Sequence, residues 1–316
     1  MRNTPFLILV IPCFNEQETL PRTFEALANL LHELKTTHDI DDKSYVLYIN
    51  DGSHDKTWEL IETRASNDPF AHGVCFARNA GHQNAAWAGM KSARRAGCDC
   101  IVSLDADLQD DISIVKNMVD EYRKGCEIVY GVRNDRSTDT PFKRNTAEMF
   151  YGFMKLLNVN MVPDHADYRL VSSRVLEELR QFHEHELFLR GLFPTLGFKT
   201  AKVYYKRQKR EAGVSKYPLF KMIAFAWKGI TSCSVAPLRL AGLMSIVCAL
   251  LAVILSIRSV ACYFLGYTVS GWTSTMIVVL FLGAIQLLCL SLIGEYIAKI
   301  YTEVRNRPRY IIEKEI

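Results

Sequence analysis

The 316-residue chain has no Gly-x-Gly-x-x-Gly run and no Gly-x-x-x-x-Gly-Lys-[Ser/Thr] run. The first absence disfavours a dinucleotide-binding enzyme, the second a P-loop NTPase. Nine cysteines include no Cys-x-x-Cys pair. An odd, scattered set makes a poor disulfide framework and a poor zinc site, so these residues read as small buried hydrophobes in a reducing compartment. His165, His183 and His185 have no carboxylate or cysteine pattern beside them to complete a zinc site. A net charge of +4 is too small for a nucleic-acid binder. Met1–Pro12 lacks a basic flank and a small-residue cleavage site, so no signal peptide is expected.

Charge is also nearly missing from residues 237–296, and this divides the chain. Leu240–Leu265 is uncharged as far as Ile257, with Arg258 near its far end; Trp272–Ile293 carries no charge at all. At about 1.5 Å per residue, each run reaches across a hydrocarbon core of roughly 30 Å. Two such runs in tandem predict a membrane hairpin rather than a pair of core helices. Lys216, Lys221, Lys228 and Arg239 precede it; Lys299, Arg305, Arg307 and Arg309 follow. The positive-inside rule then places both termini, and residues 1–236, in the cytoplasm. Lys216–Ala236 mixes aromatic residues with lysines and reads either as an amphipathic helix in the interface plane or as a helix packed on the domain. Gly242, Gly283 and Ala284 are small enough for the hairpin to pack against copies of itself, so a homo-oligomer is expected.

The first 130 residues alternate short apolar runs with helical patterns. Strands are expected at Phe6–Cys13, Tyr45–Asn50, Gly73–Ala77, Asp99–Leu104 and Glu127–Val132. Between them lie helical stretches at about Glu16–Lys35, where Asn15 and Glu18 resemble a capping box, and at Lys56–Ala65, Ala85–Ala96 and Ile112–Lys124. Such alternation predicts an α/β fold with a doubly wound, mostly parallel sheet, which binds ligands at the carboxyl ends of its strands. Polar clusters recur there: Asn15 and Glu16, Asn50–Ser53, Arg78–Asn84 and Asp105–Asp110.

Asp105-Ala-Asp107 places two carboxylates of one parity just after a strand, an arrangement that suits a hard cation such as Mg²⁺ or Mn²⁺ shared with substrate phosphates. Gln109 continues that parity toward a ligand or water. Asp51-Gly52-Ser53 offers a carboxylate beside a glycine that permits close backbone approach; the same residues also make an ordinary turn. Arg207, Arg210 and Lys216 form a basic stretch suited to a diphosphate or a lipid phosphate. Asp167, beside Arg169, can either orient an acceptor or act as a base.

Seven blocks in order carry a resemblance: VIPCFNEQETL, NDGSHDKT, FARNAGHQNAAWAG, SLDADLQDD, ADYRLVSSR, GVSKYPLFKM and GEYIAKIYTEVRNRPRY. Together they resemble the family 2 glycosyltransferases, in the polyprenyl-phosphate branch that includes bactoprenol glucosyltransferases and dolichol-phosphate mannose synthases. The resemblance implies a GT-A domain over residues 1–215, an interfacial segment at 216–236, two transmembrane helices within 237–296 and a cytoplasmic tail at 297–316. It implies nucleotide-sugar contacts from Pro12, Asn15, Glu16 and Asp51, with Ser53, Arg78 and Asp105 in the same site. It implies that Asp105, Asp107 and Gln109 hold Mg²⁺ or Mn²⁺ and the diphosphate, and that Asp167 is the second catalytic carboxylate beside Asp105. Arg207, Arg210 and Lys216, with Arg169, become the phosphate-binding cations. His82-Gln83-Asn84 departs from the basic residue that related chains carry there.

The expected reaction is inverting transfer of a sugar, UDP-linked in the bacterial members, to undecaprenyl phosphate at the inner membrane. A processive polysaccharide synthase is disfavoured because no Arg-Trp pair exists and more spans would be needed. An inactive membrane scaffold is disfavoured by intact Asp105 and Asp107.

Overall fold

The computed structural model describes residues 4–134, 165–184, 188–206, 231, 235–265 and 271–316. The chain forms two units, Met1–Ile223 with Pro308–Ile316, and Ala224–Arg307.

The first unit is built on one eight-stranded sheet of order β7-β5-β6-β4-β1-β2-β3-β8. The strands are β1 (Leu7–Cys13), β2 (Tyr45–Asn50), β3 (Ala71–Phe76), β4 (Cys100–Ser103), β5 (Ile128–Arg133), β6 (His165–Ser172), β7 (Thr200–Tyr205) and β8 (Ile312–Glu315). β1 is central and apolar on both faces. Leu7, Leu9 and Ile11 enter one core; Ile8 and Val10 enter the other. All five are fully buried, each worth roughly 1.5–3 kcal/mol.

Helices α1 (Leu20–Thr36), α2 (Thr57–Asn67) and α4 (Val115–Arg123) supply buried side chains to the first core. Helices α3 (His82–Arg95), α5 (Ser173–Glu178) and α6 (Leu189–Thr195) supply the second. A Cβ on Gly89 would collide with Val10 Cγ1, so glycine is what lets α3 lie so close to β1.

The expected parallel core is present in β1 to β4. Two antiparallel strands modify it. β6 runs antiparallel between β4 and β5, and β8 runs antiparallel along β3. The sheet is therefore mixed. β8 also changes the picture of the C-terminal tail. Residues from Pro308 onward belong to the first unit, where Tyr310 stacks on Phe76 at 4.7 Å and Arg309 lies over the Trp87 ring.

The capping box expected at Asn15 and Glu18 does not form. Helix α1 starts at Leu20 with Thr19 as its cap, Pro21 in its first turn, and Thr19 Oγ1 donating to Glu16 Oε2 at 2.6 Å. Asn15 instead takes a positive φ of 54° and gives its side-chain oxygen to another loop, a tertiary partner that outcompetes the local cap.

The second unit holds α7 (Ala236–Phe264) and α8 (Trp272–Val304). Both are long and apolar enough to cross a membrane, and only 6% of each apolar window is buried. A core helix of a soluble protein would hide these side chains; here Leu240, Ile246, Ile254, Leu280 and Leu287 are exposed. This is the surface of a membrane-associated protein. Where the two helices meet, Ala241 and Leu292 are buried and Cys289 Sγ lies 3.9 Å from the Ala241 carbonyl.

Candidate active site

The strand order reverses between β1 and β4: β2 follows β1 on one side, while β4 pairs with it on the other. At this switch point the neighbouring loops diverge and leave a cleft. Pro12 marks the opening. The β1–β4 ladder runs only to Val10–Ser103, with one further bond from Leu104 N–H to the Val10 carbonyl. Pro12 faces the side where pairing has stopped, so its missing N–H leaves no ladder bond unmade. It is buried in the strand end.

Hydrogen bonds from backbone N–H groups zip the loop after β1 to the loop after β2. Asn15 N–H donates to Ser53 Oγ at 3.0 Å, and His54 N–H returns a bond to Asn15 Oδ1 at 3.0 Å. Glu16 N–H donates to Thr57 Oγ1 at 2.9 Å, and Gln17 N–H to Asp55 Oδ2 at 3.2 Å. Asn15, Glu16 and Ser53, all expected at a nucleotide site, are thus brought together. Asp51 has a different part in this structure. Its carboxylate, 2% exposed, accepts from Ala80 N–H at 2.7 Å, Gly81 N–H at 2.9 Å and the Asn79 amide at 3.1 Å. It shapes the loop that launches α3. Burial raises its pKa, and the N–H donors only partly oppose this. Gly52 is required beside it: its φ is +61°, and a Cβ there would strike the Arg78 main chain. The Arg78 side chain is exposed.

Asp105 and Asp107 follow β4 on a turn, not on an extension of the strand. Leu108 has a φ of 51°, and Gln109 N–H closes back on Asp107 Oδ1 at 3.2 Å. The strand parity invoked for Asp105, Asp107 and Gln109 therefore does not hold, because the strand ends at Ser103. Gln109 is 6% exposed. The loop is anchored from three sides: Thr23 Oγ1 donates to the Ala106 carbonyl at 2.7 Å, Tyr205 hydroxyl to Asp110 Oδ1 at 2.6 Å, and Tyr168 hydroxyl to the Asp111 carbonyl at 3.0 Å. The Asp105 side chain is 42% exposed. The protein packed around it, then Asp167, Asp110 and Asp107, push its pKa up, and His82 opposes them.

His82, the first residue of α3, joins the carboxylates. Its Nε2 is 3.5 Å from Asp105 Oδ1 and 3.8 Å from Asp167 Oδ2. Asp167, on β6, is gripped by two guanidiniums. Arg169 Nη2 donates to Oδ1 at 2.5 Å; Arg190 Nε and Nη2 donate to Oδ1 and Oδ2 at 3.2 and 3.0 Å. Burial alone would raise the Asp167 carboxyl, but Arg190 and Arg169 overcome it and hold the pKa well below the usual carboxylate range. Asp167 stays ionised.

Arg169 does not fit the phosphate-binding part expected of it. It is 1% exposed, donates to the Leu189 carbonyl at 3.4 Å and lies 4.7 Å over the Phe193 ring. A buried cation with these partners supports Asp167. Arg207, Arg210 and Lys216 lie outside the described residues.

Residues 8–180 match the family described as glycosyl transferase family 2. The chain belongs to that family. This glycosyltransferase is 44% identical over 315 residues to an uncharacterized glycosyltransferase, YkoT, of Bacillus subtilis (strain 168), covering 100% of this chain and 93% of the relative. It is 35% identical over 308 residues to the SfII prophage-derived bactoprenol glucosyl transferase of Shigella flexneri, covering 97% of each. Among solved structures, glucosyl-3-phosphoglycerate synthase of Mycobacterium tuberculosis aligns with a TM-score of 0.48 at 17% identity, over 73% of this chain and 80% of that one.

The described domain of the glycosyltransferase is of the GT-A type, a mixed sheet with helices on both faces. Two site residues gave little or no signal in the sequence. His82 was visible only as a departure from a basic position. Arg190 gave none, since a lone arginine in FLRGLF carries no pattern; only the fold brings it to Asp167. Among the described residues no three His, Cys, Asp or Glu side chains form a metal centre by themselves.

Proposed function

We propose that this enzyme transfers a sugar from a UDP-linked donor to undecaprenyl phosphate with inversion at the transferred carbon. One observation carries the reading: Asp105, Asp167 and His82 converge at the switch-point cleft. They do so in a chain similar along its whole length to a protein named a bactoprenol glucosyl transferase.

Asn15, Glu16 and Ser53, on the zipped loops, line the nucleoside side, framed by Asp51. Asp105 and Asp107, with Gln109 closing their turn, would hold Mg²⁺ or Mn²⁺. Accumulated carboxylate charge around Asp105 is what a divalent cation relieves, and two carboxylates plus substrate phosphates are a donor set such ions accept. When bound, the ion neutralises charge on the departing nucleoside diphosphate. The acceptor needs little help from a base: a phosphomonoester has a second pKa of about 6 and is already largely anionic at neutral pH. Asp167, held ionised by two arginines, is a weak proton acceptor and acts by positioning and by its charge.

The enzyme sits in the inner membrane with α7 and α8 as a hairpin and both termini cytoplasmic. The basic flanks support that orientation, and the return of the chain as β8 to the catalytic sheet agrees with it. Open space around Gly242 and Gly283 leaves room for a second copy to pack there.

The test incubates membranes carrying the protein with undecaprenyl phosphate, Mg²⁺ and a panel of radiolabelled nucleotide sugars. Label entering the lipid phase from one donor, and absent with Asp105→Ala, is the expected result. No lipid label from any donor would overturn the acceptor assignment.

A further inference from the structure

We infer that Gln83 is a positioning residue for sugar transfer, acting through Arg190 on Asp167; this rests on the transfer reading above. Helix α6 opens on Phe188, whose side chain has no oxygen with which to cap it. Leu189, the first residue of α6, donates its N–H to Gln83 Oε1 at 3.1 Å. A backbone N–H can only donate, so the Gln83 atom facing it is the amide oxygen. This acceptor comes from the second position of α3, 106 residues earlier in the chain. One of the N–H groups that a helix start leaves unpaired is thus met by another helix.

That bond holds the root of Arg190. Leu189 is fixed at both ends, its N–H by Gln83 and its carbonyl by Arg169 Nη1 at 3.4 Å. Arg190 follows directly, and its Nε and Nη2 donate to Asp167 at 3.2 and 3.0 Å. Two parallel bonds from a planar guanidinium are directional, so the fork depends on where its backbone stands.

The start of α3 is itself fixed from the opposite flank. Asp51, just after β2, accepts from the Ala80 and Gly81 N–H groups. His82 comes next, its Nε2 3.5 Å from Asp105 Oδ1 and 3.8 Å from Asp167 Oδ2. Gly81, His82 and Gln83 thus meet, in turn, Asp51, the carboxylates Asp105 and Asp167, and α6. Gln83 sets the spacing between the nucleoside loops and the Arg190–Asp167 fork. Without its oxygen, Leu189 and Arg190 settle elsewhere and Asp167 loses its aim, and a misplacement of about 1 Å costs a reaction on the order of 10²-fold.

The experiment uses the full-length chain and compares wild type with Gln83→Met, which keeps the length of the side chain but has no oxygen, and Gln83→Glu, which keeps an acceptor. Each reads kcat for lipid product, Kd for UDP and melting temperature, and Gln83→Met is repeated in an Arg190→Ala background. We expect kcat to fall about 10- to 100-fold in Gln83→Met and to stay within about threefold of wild type in Gln83→Glu, with UDP affinity within about twofold in both. On top of Arg190→Ala, Gln83→Met should cost less than about threefold more, because its action passes through Arg190. Unchanged kcat in Gln83→Met would overturn the inference. So would equal losses in the Met and Glu variants, a loss of UDP affinity as large as the loss of kcat, or a full additional loss in the Arg190→Ala background. A wild type that forms no lipid product from any donor overturns the transfer reading and this inference with it.

Discussion

The two flanks of the central cleft hold their loops by different means. On the β1–β3 side, backbone N–H groups meet Ser53, Thr57, Asn15 and Asp55, and even the buried Asp51 carboxylate is held by N–H donors. On the β4–β6 side, Asp167 lies between Arg169 and Arg190, with His82 and Asp105 beside it. The contrast shows in two residues of one type: burial raises the Asp51 pKa, while two guanidiniums drive that of Asp167 down. Bonds from backbone N–H groups fix shape without pairing two full charges. Ion pairs fix shape and also respond to a charged substrate. The β1–β3 flank is thus a frame, and the β4–β6 flank is where charge can be moved.

Four substitutions sharpen or break that contrast. Asp105→Ala has the largest expected effect: transfer falls on the order of 10³-fold or more while the melting temperature holds, measured as labelled lipid per folded molecule. Asp167→Asn comes next. It leaves the buried Arg169 without its counter-charge, costing about 3–5 kcal/mol in denaturant titration, and lowers turnover on the order of 10²-fold. Because the native carboxyl is held below its unfolded value, its contribution is present above about pH 4 and is lost as pH falls, so the gap between wild type and variant should close in acid. The acid limb of turnover near pH 6, set by the acceptor phosphate, should stay where it is in Asp167→Asn; its disappearance would restore a base role.

Gly52→Ala acts on the frame. A positive φ and a collision with the Arg78 main chain should cost about 2–3 kcal/mol of stability, with donor binding weakened more than turnover at saturation. Asp39→Asn is the smallest. Thr37, Lys116 and Arg123 outweigh burial and bring the Asp39 pKa to about 2. Its ion pairs, partly open to solvent, should contribute roughly 1–2 kcal/mol above pH 4 that disappears between about pH 4 and pH 2, with transfer untouched.

The frame was the more legible half. β1 to β5 read from the sequence because parallel strands buried on both faces are short continuous apolar runs separated by short polar links. Asn15, Glu16, Asp51 and Ser53 fell at strand ends, where such sheets put ligands. β6 did not read as a strand, since its charged Asp167 and Arg169 break the apolar pattern and neutralise each other only in space. β7 alternates as TAKVYY beside a basic stretch, and β8, IEKE, has a single apolar residue; its place is set by pairing with β3, which sequence period does not encode. Strand parity fails across Asp105-Ala-Asp107 for a local reason, the turn that carries a positive φ at Leu108.

The most direct test of frame against charge sets Asp105→Ala beside Thr57→Ala in one assay. Removing Thr57 Oγ1 strands the Glu16 N–H in the frame. The account predicts that Thr57→Ala loses thermal stability and donor affinity but keeps turnover per folded molecule at saturating substrate within about threefold. Asp105→Ala should do the opposite, keeping its melting temperature and losing transfer. Equal losses of turnover in both, or a melting temperature that collapses in Asp105→Ala, would contradict the division of labour described here.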